Sequence, residues 1–141
     1  MYPRTIVAVL VVGGFGFAAR ASTPDFTTIN LPGDPRGINN AGQIVGFSIS
    51  NFSGFLQNPD GTATTIQVKS TGQTLVYSIN NSGQIVGQYD DAGFHGFLDN
   101  AGSFTMIDLP SAVGLSYAAG INDAGEIVGN HLSGPVRILS L

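Results

Sequence analysis

A ten-residue motif that occurs three times constrains the fold of this chain more than any other feature of the sequence. Its copies are separated by 41 and 42 residues. They are Gly37–Gly46 (GINNAGQIVG), Ser78–Gly87 (SINNSGQIVG) and Gly120–Gly129 (GINDAGEIVG). A shorter element follows the first two copies, as Ser53–Leu56 (SGFL) and His95–Leu98 (HGFL), and is degraded after the third. A fixed period of this length indicates a solenoid, a propeller or an array of repeated units.

The middle copy predicts a hairpin. An apolar-rich run, Leu75–Ile79, is followed by Asn80–Gly83 (NNSG) and then by a second run that ends at Tyr89. Asparagine and glycine tolerate positive φ, which tight hairpin turns require. We therefore predict structural turn residues in all three copies, namely Asn40, Gly42, Asn81, Gly83, Asp123 and Gly125.

Two further runs in each copy extend the hairpin into a meander of four antiparallel strands. Ile85 and Val86 are adjacent, so their side chains point to opposite faces, and a sheet with two apolar faces is expected to lie between neighbours. The predicted fold class is all-β, with three repeated four-stranded blade-like units in a propeller-like arrangement. A trefoil- or prism-like three-fold arrangement is the alternative. The units span about 34–68, 74–109 and 114–141.

The last unit runs out of chain before its fourth strand. Residues 25–31 resemble that missing strand, and we predict that they are a spare strand that completes the last unit. Three units are fewer than the 4–8 blades usual for a propeller. Two chains could form a six-bladed ring, one chain could form a compact three-fold domain, or the chain could be a fragment of a longer repeat protein with open edges. We favour one of the first two and, between them, prefer self-association into a homo-oligomer.

The first 21 residues have the pattern of a secretory signal peptide. Arg4 precedes an uncharged run of 15 residues, Thr5–Ala19, and Ala19 and Ala21 are the small residues of a cleavage site. The run is too short to span a membrane as a helix. We therefore predict a signal peptide at 1–21 and a β-repeat domain at 22–141, with no membrane span after processing. The expected location is extracellular or cell-surface, with the periplasm as an alternative.

Charge and cysteine content exclude several functions. The domain that follows residue 21 keeps all nine acidic residues but only three cations, Arg36, Lys69 and Arg137. Three scattered cations cannot neutralise a phosphate backbone, so a nucleic acid is not expected as a partner. Because the chain has no cysteine, disulfide bonds cannot stabilise it.

No catalytic, cofactor-binding or metal-binding constellation is recognisable. His95 and His131 are the only histidines, too few for a zinc site without cysteine, and no nucleophile-elbow motif occurs. Oxygen ligands for Ca²⁺ could come from Asp90, Asp91, Asp123 and Glu126. At the positions of Asp123 and Glu126, however, the other two copies carry amides, and no calcium-loop motif is present. We expect that the protein is not an enzyme and binds no cofactor. Binding of Ca²⁺ is the less favoured alternative.

Aromatic side chains supply the candidate ligand-facing residues. Phe55 and Phe97 recur at one position of the repeat, which predicts that they lie in the core. Tyrosine tolerates a solvated position better. We therefore predict that Tyr77, Tyr89, Tyr117 and His95 face a ligand.

The three I-N-[ND]-x-G-x-I-V-G copies, together with the HGFL element at His95–Leu98, resemble the HAF family of bacterial extracellular repeats. The resemblance covers about residues 25–141. It implies a secreted or surface-associated β-repeat protein and carries over no catalytic residue. The predicted function is a secreted or cell-surface structural or interaction module without catalytic activity. The alternative is a lectin-like carbohydrate-binding protein, so the partner is a protein or a glycan.

Overall fold

The structure is a computed structural model that describes residues 6–9, 25–108, 116–131 and 134–138. The chain divides into two compact units, Met1–Leu31 and Pro32–Leu141. Every regular element in the described residues is a β-strand. No helix with the length and apolar character needed to cross a membrane is found in this part of the chain.

The larger unit contains two four-stranded antiparallel sheets, each with its strands in sequence order. The first sheet consists of β3 (Asp34–Ile38), β4 (Ile44–Ser48), β5 (Ser53–Gln57) and β6 (Ala63–Ile66). The second consists of β7 (Thr74–Ile79), β8 (Ile85–Asp90), β9 (Phe94–Asn100) and β10 (Ser103–Ile107). The sequence-based prediction of all-β, four-stranded antiparallel sheets is confirmed by these two sheets.

The third copy of the motif lies in a sheet with three strands in the described residues. They are β11 (Ser116–Ile121), β12 (Ile127–His131) and β13 (Gly134–Ile138). In each of the three sheets the motif forms the turn between the first and second strands, and one residue of the first strand bulges out of register. The bulged residues are Arg36, Tyr77 and Ala119, which are separated by the same 41 and 42 residues as the motif.

The smaller unit contains a pair of strands, in which β2 (Phe26–Ile29) pairs antiparallel with β1 (Ile6–Val9), residue Ile6 opposite Ile29. That residues 25–31 complete the last sheet stays a prediction. A partner nearby in sequence closes a much shorter loop than the third sheet would, and loop-closure entropy favours the shorter loop. Since β1 lies within the predicted signal peptide, cleavage after Ala21 would remove this partner of β2.

The sheets of the larger unit pack in sequence order, first against second and second against third. β7 packs on β3 and β4 of the first sheet, and β11 packs on β7 and β8 of the second. Val45, Ile79 and Ile85 belong to one buried cluster, and Val86 and Ile127 belong to another. Ile85 and Val86 are therefore buried on opposite faces of the middle sheet, as the sequence predicts.

Candidate functional site

The polar residues of the repeated turns form a ladder of hydrogen bonds that runs from sheet to sheet. The Asn39 side-chain amide donates to the Asn80 carbonyl oxygen (3.2 Å), and the Asn80 amide donates to the Asn122 carbonyl oxygen (3.0 Å). We call these three asparagines and their bonds the asparagine ladder. It links positions 41 and 42 residues apart, so it connects the sheets rather than only shaping each turn.

Each ladder asparagine also closes its own turn. The Asn80 side-chain oxygen accepts the backbone N–H groups of Ser82 (3.1 Å) and Gln84 (2.9 Å), while its amide donates to Gln84 Oε1 (2.7 Å). Such local side-chain bonds to the backbone are the reason that asparagine favours turns. In this chain the same side chain has a second donor hydrogen left for the next sheet.

The predicted turn residues lie beside the ladder and add to it. Gly42, Gly83 and Gly125 have φ angles of 75°, 79° and 79°, in the left-handed region. The Asn40 backbone N–H donates to Asn81 Oδ1 (2.7 Å), and the Asn81 N–H donates to Asp123 Oδ1 (2.9 Å). The Asp123 carboxylate also accepts a hydrogen bond from the Asn81 side-chain amide (2.7 Å), and the two bonds from Asn81 keep the pKa of Asp123 below its ordinary value.

The first asparagine of the motif was not predicted as a functional residue, although a comparison of the three copies distinguishes it from the position that follows. Asn39, Asn80 and Asn122 are identical in all three copies, whereas the next position is Asn40, Asn81 or Asp123. A residue that only shapes a turn is readily exchanged between asparagine and aspartate. The first position needs an amide donor as well as an acceptor, which aspartate cannot supply when ionised.

The four predicted ligand-facing residues form two separate pairs. Tyr77 and Tyr117 contact each other edge to face, with ring centroids 5.9 Å apart. Tyr77 is half-buried, and this burial raises its pKa. The Tyr117 ring is more exposed, and its hydroxyl accepts a hydrogen bond from Asn130 Nδ2 (2.7 Å). This pair joins the second and third sheets and has one solvated side.

Tyr89 does not have the solvated position expected of it, because it is buried and only 5% exposed. It lies on the same face of β8 as Ile85, and residues two apart along a strand share a face. Its ring packs 5.4 Å from the ring of His95 and 6.5 Å from that of Phe97, measured between centroids. Tyr89 therefore belongs, with Phe97, to the core between the first and second sheets. Phe55 is also buried, as predicted for both phenylalanines, but it is not part of this cluster.

His95 lies in a polar cluster that the sequence did not predict. Its Nδ1 is 2.7 Å from Asp108 Oδ2, and the Ser116 hydroxyl donates to the other oxygen of the same carboxylate (2.6 Å). Asp108 follows β10 and Ser116 begins β11, so the cluster bridges the second and third sheets. The residues are up to 21 positions apart in sequence, and no local motif marks them.

The cluster contains serine, histidine and aspartate, but its order differs from that of a catalytic triad. A triad places the histidine between the serine and the carboxylate, so that the imidazole removes the hydroxyl proton. Here the carboxylate of Asp108 lies between the two, and the second ring nitrogen of His95 is 3.3 Å from the Asp91 carbonyl oxygen. The arrangement holds two sheets together and offers no route for the serine proton to reach the imidazole.

The His95 contact predicts a pH dependence of stability. Its hydrogen bond to Asp108 raises the pKa of His95 above the ordinary 6.5. The stabilisation is therefore fully present below the pKa of the unfolded chain and is lost as pH rises through the folded-state pKa. Asp91 lies nearby but is paired with Lys69 at 3.1 Å. We expect the melting temperature of the native protein, minus that of Asp108→Asn, to fall between pH 6 and pH 9. A constant difference over that range would contradict the assignment.

An open cleft of about 430 Å³ lies between the first and second sheets. Asp99, Phe104, Thr64 and Gln67 are among its lining residues. Asp99 is buried, which raises its pKa, and it accepts a hydrogen bond from the Gly102 N–H (2.7 Å). The Phe104 ring is 39% exposed and packs edge to face on Phe97. A carboxylate beside an exposed ring and an amide is chemistry that can bind a hydroxylated ligand.

The acidic residues of the third turn that were considered for Ca²⁺ are bonded to other protein groups. Asp123 accepts hydrogen bonds from Asn81, and Glu126 accepts one from Asn122 and contacts Arg137 at 2.6 Å. Within residues 6–9, 25–108, 116–131 and 134–138, no three histidine, aspartate or glutamate side chains come together in a group that could hold a metal ion.

Comparison with known proteins returned no relative. No family model matches the chain, and neither a curated protein nor a solved structure matches it. The resemblance to the HAF repeats therefore rests on the motif copies within this sequence.

Proposed function

We propose that the chain is a secreted or cell-surface β-repeat module that acts by non-covalent interaction and not by catalysis. The observation that carries the proposal is the asparagine ladder. The asparagine side chains of the first two motif copies are occupied in joining one sheet to the next, and the Ser–Asp–His cluster also bridges two sheets. The repeat thus builds a scaffold in which each sheet packs on the next.

The arrangement that we propose for the three sheets is propeller-like. In support, β7 contacts the first strand of both other sheets, β3 and β11, as inner strands do in adjacent blades. A compact three-fold domain would need the first and third sheets to cover each other. Ile38 of the first sheet remains 57% exposed and Val128 of the third 49% exposed, which disfavours that alternative.

Export provides the test of the proposed location. A bacterial host expressing the full chain should release a protein outside the cytoplasm whose intact mass corresponds to a chain that begins at Ser22. Ala21→Leu places a bulky residue at the cleavage site and should block processing. Ala18→Leu, outside the cleavage positions, is the matched control. A cytoplasmic protein that retains Met1–Ala21 would contradict the proposal.

Carbohydrate binding is the second candidate function, and the cleft between the first and second sheets favours it. Exposed aromatic rings stack on sugar faces, and the Asp99 carboxylate could accept hydrogen bonds from hydroxyl groups. A glycan array probed with the purified protein should then give signals that Phe104→Ala abolishes. Phe94→Ala changes a phenylalanine of similar exposure outside the cleft and should leave the signals intact. An array without signals would reject this candidate.

A further inference from the structure

Each of the two end sheets exposes apolar residues whose equivalents are buried at the junctions inside the chain. Val45, Val86 and Val128 occupy the same position of the motif. Val45 and Val86 are both 0% exposed because the next sheet covers them, whereas Val128 is 49% exposed. We call the Val128 side of the third sheet the tail face.

The opposite face of the first sheet shows the complementary exposure. Ile38 and Ile79 are equivalent positions, and Ile38 is 57% exposed while Ile79 is only 7% exposed. Ile44 is half-buried, although its equivalent Ile85 is buried. We call the side of the first sheet that carries Ile38 and Ile44 the head face. Inside the chain, the head-type residues Ile79 and Ile85 belong to the same cluster as the tail-type Val45.

The asparagine ladder has the same polarity as the apolar faces. Each turn donates to the turn that follows it, so among the described residues the acceptors of the first turn receive no bond from a preceding turn and the donors of the last reach no following turn. Asn40 Oδ1 corresponds to Asn81 Oδ1, which accepts an N–H from the preceding turn. The Asn122 amide corresponds to the Asn80 amide, which donates to the following turn. Asn80 is buried by this arrangement, while Asn122 is exposed.

We propose that the tail face of one copy of this chain packs on the head face of a second copy, with the geometry of the junctions inside the chain. Apolar side chains and hydrogen-bonding groups are then matched at the same time, as they are between the first and second sheets. A head-to-tail contact of this kind is heterologous, so two copies can use it twice and close a ring. Two copies bring together six sheets, which is within the range of about 4–8 blades in propellers. This inference rests on the proposed function as an interaction module.

Light scattering during size-exclusion chromatography tests the association. The purified protein should have the mass of two copies. Val128→Glu and Ile38→Glu should each weaken the association by at least about tenfold, because each places a charge in an apolar contact. Ile49→Glu, which changes an equally exposed isoleucine in the turn after β4, should keep the mass of two copies.

Mixing the two variants identifies the polarity of the contact. Val128→Glu retains an intact head face and Ile38→Glu an intact tail face, so an equimolar mixture should regain a two-copy complex through one intact contact. Monomeric native protein, or a dimer that neither substitution affects, would overturn the proposal. A mixture that stays monomeric would also overturn it. Export and processing at Ala21 are unaffected by these outcomes, so failure of the association is distinguishable from failure of the proposed function.

Discussion

Alanine in place of Gly87 is expected to destabilise the protein by about 3 kcal/mol, near the upper end of the cost of overpacking a core. An added Cβ would overlap the carbonyl oxygen of Leu75 and lie 2.9 Å from a ring atom of Phe97. Leu75 belongs to β7, which is paired with β8 at this point, so its carbonyl can move away only if the strands separate. Gly46 and Gly129, the equivalent glycines, meet the carbonyls of Asp34 and Tyr117 in the same way.

Gly120→Ser is the matched control for Gly87→Ala. Gly120 is the last-copy equivalent of Ser78, so the repeat already accepts a serine at this position. An added Cβ at Gly120 would meet only the Val128 side chain, at 3.4 Å, which is ordinary contact. Chemical denaturation of the two variants measures the difference. Equal free energies of unfolding would show that the close approach of β7 and β8 at Gly87 is wrong.

Aspartate in place of Asn80 is expected to cost about 2–3 kcal/mol at neutral pH, the penalty for a buried polar group that loses its hydrogen-bond partner. Asn80 is 3% exposed, and its amide donates to the Asn122 carbonyl oxygen. The substitution keeps the size of the side chain but turns this donor into an acceptor that faces another acceptor. The Gln84 side chain can rotate to donate instead, whereas the Asn122 carbonyl is fixed in the next turn.

Asn122→Asp separates the ladder from the turn. Asn122 makes the same bonds within its turn as Asn80 does, and its amide donates to Glu126 Oε2 (2.7 Å). Because Asn122 is exposed, solvent can compensate its lost donor and screen the new carboxylate from that of Glu126, and the cost should be below about 1 kcal/mol. Protonation restores a donor to the new aspartate, so the destabilisation of Asn80→Asp should shrink as pH falls towards 4. Similar losses for both variants would mean that the turn alone needs the asparagine.

Local chemistry made the strands and turns predictable. The hairpin around Asn80–Gly83 followed from residues that tolerate positive φ, and burial of Ile85 and Val86 on opposite faces followed from strand alternation. The same alternation could have placed Tyr89 in the core, since it lies on the Ile85 face. Its hydroxyl group suggested a solvent-exposed position instead, although in the structure that hydroxyl donates to the sulfur of Met106 at 3.1 Å.

Contacts between sheets were beyond sequence analysis, because they join residues that no local pattern relates. The bond from Asn39 to Asn80 and the cluster of His95 with Asp108 and Ser116 depend on how neighbouring sheets are rotated and spaced. The requirement for Gly87 depends on how close the Leu75 carbonyl of the neighbouring strand lies to it, which no local pattern shows. The sequence of β2 is compatible with two partners, β1 and the third sheet, so it did not predict which of them β2 pairs with.

The side-chain amide protons of the ladder give the most direct test of the account, whose central claim is that the repeated asparagines join consecutive sheets. In NMR spectra, the Asn80 amide protons should show nuclear Overhauser effects to the turn at Asn122–Gly125, and those of Asn39 to the turn at Asn80–Gly83. Both amides should exchange slowly with solvent, because each is bonded and buried. Overhauser effects confined to each asparagine's own turn, with fast exchange, would contradict the account.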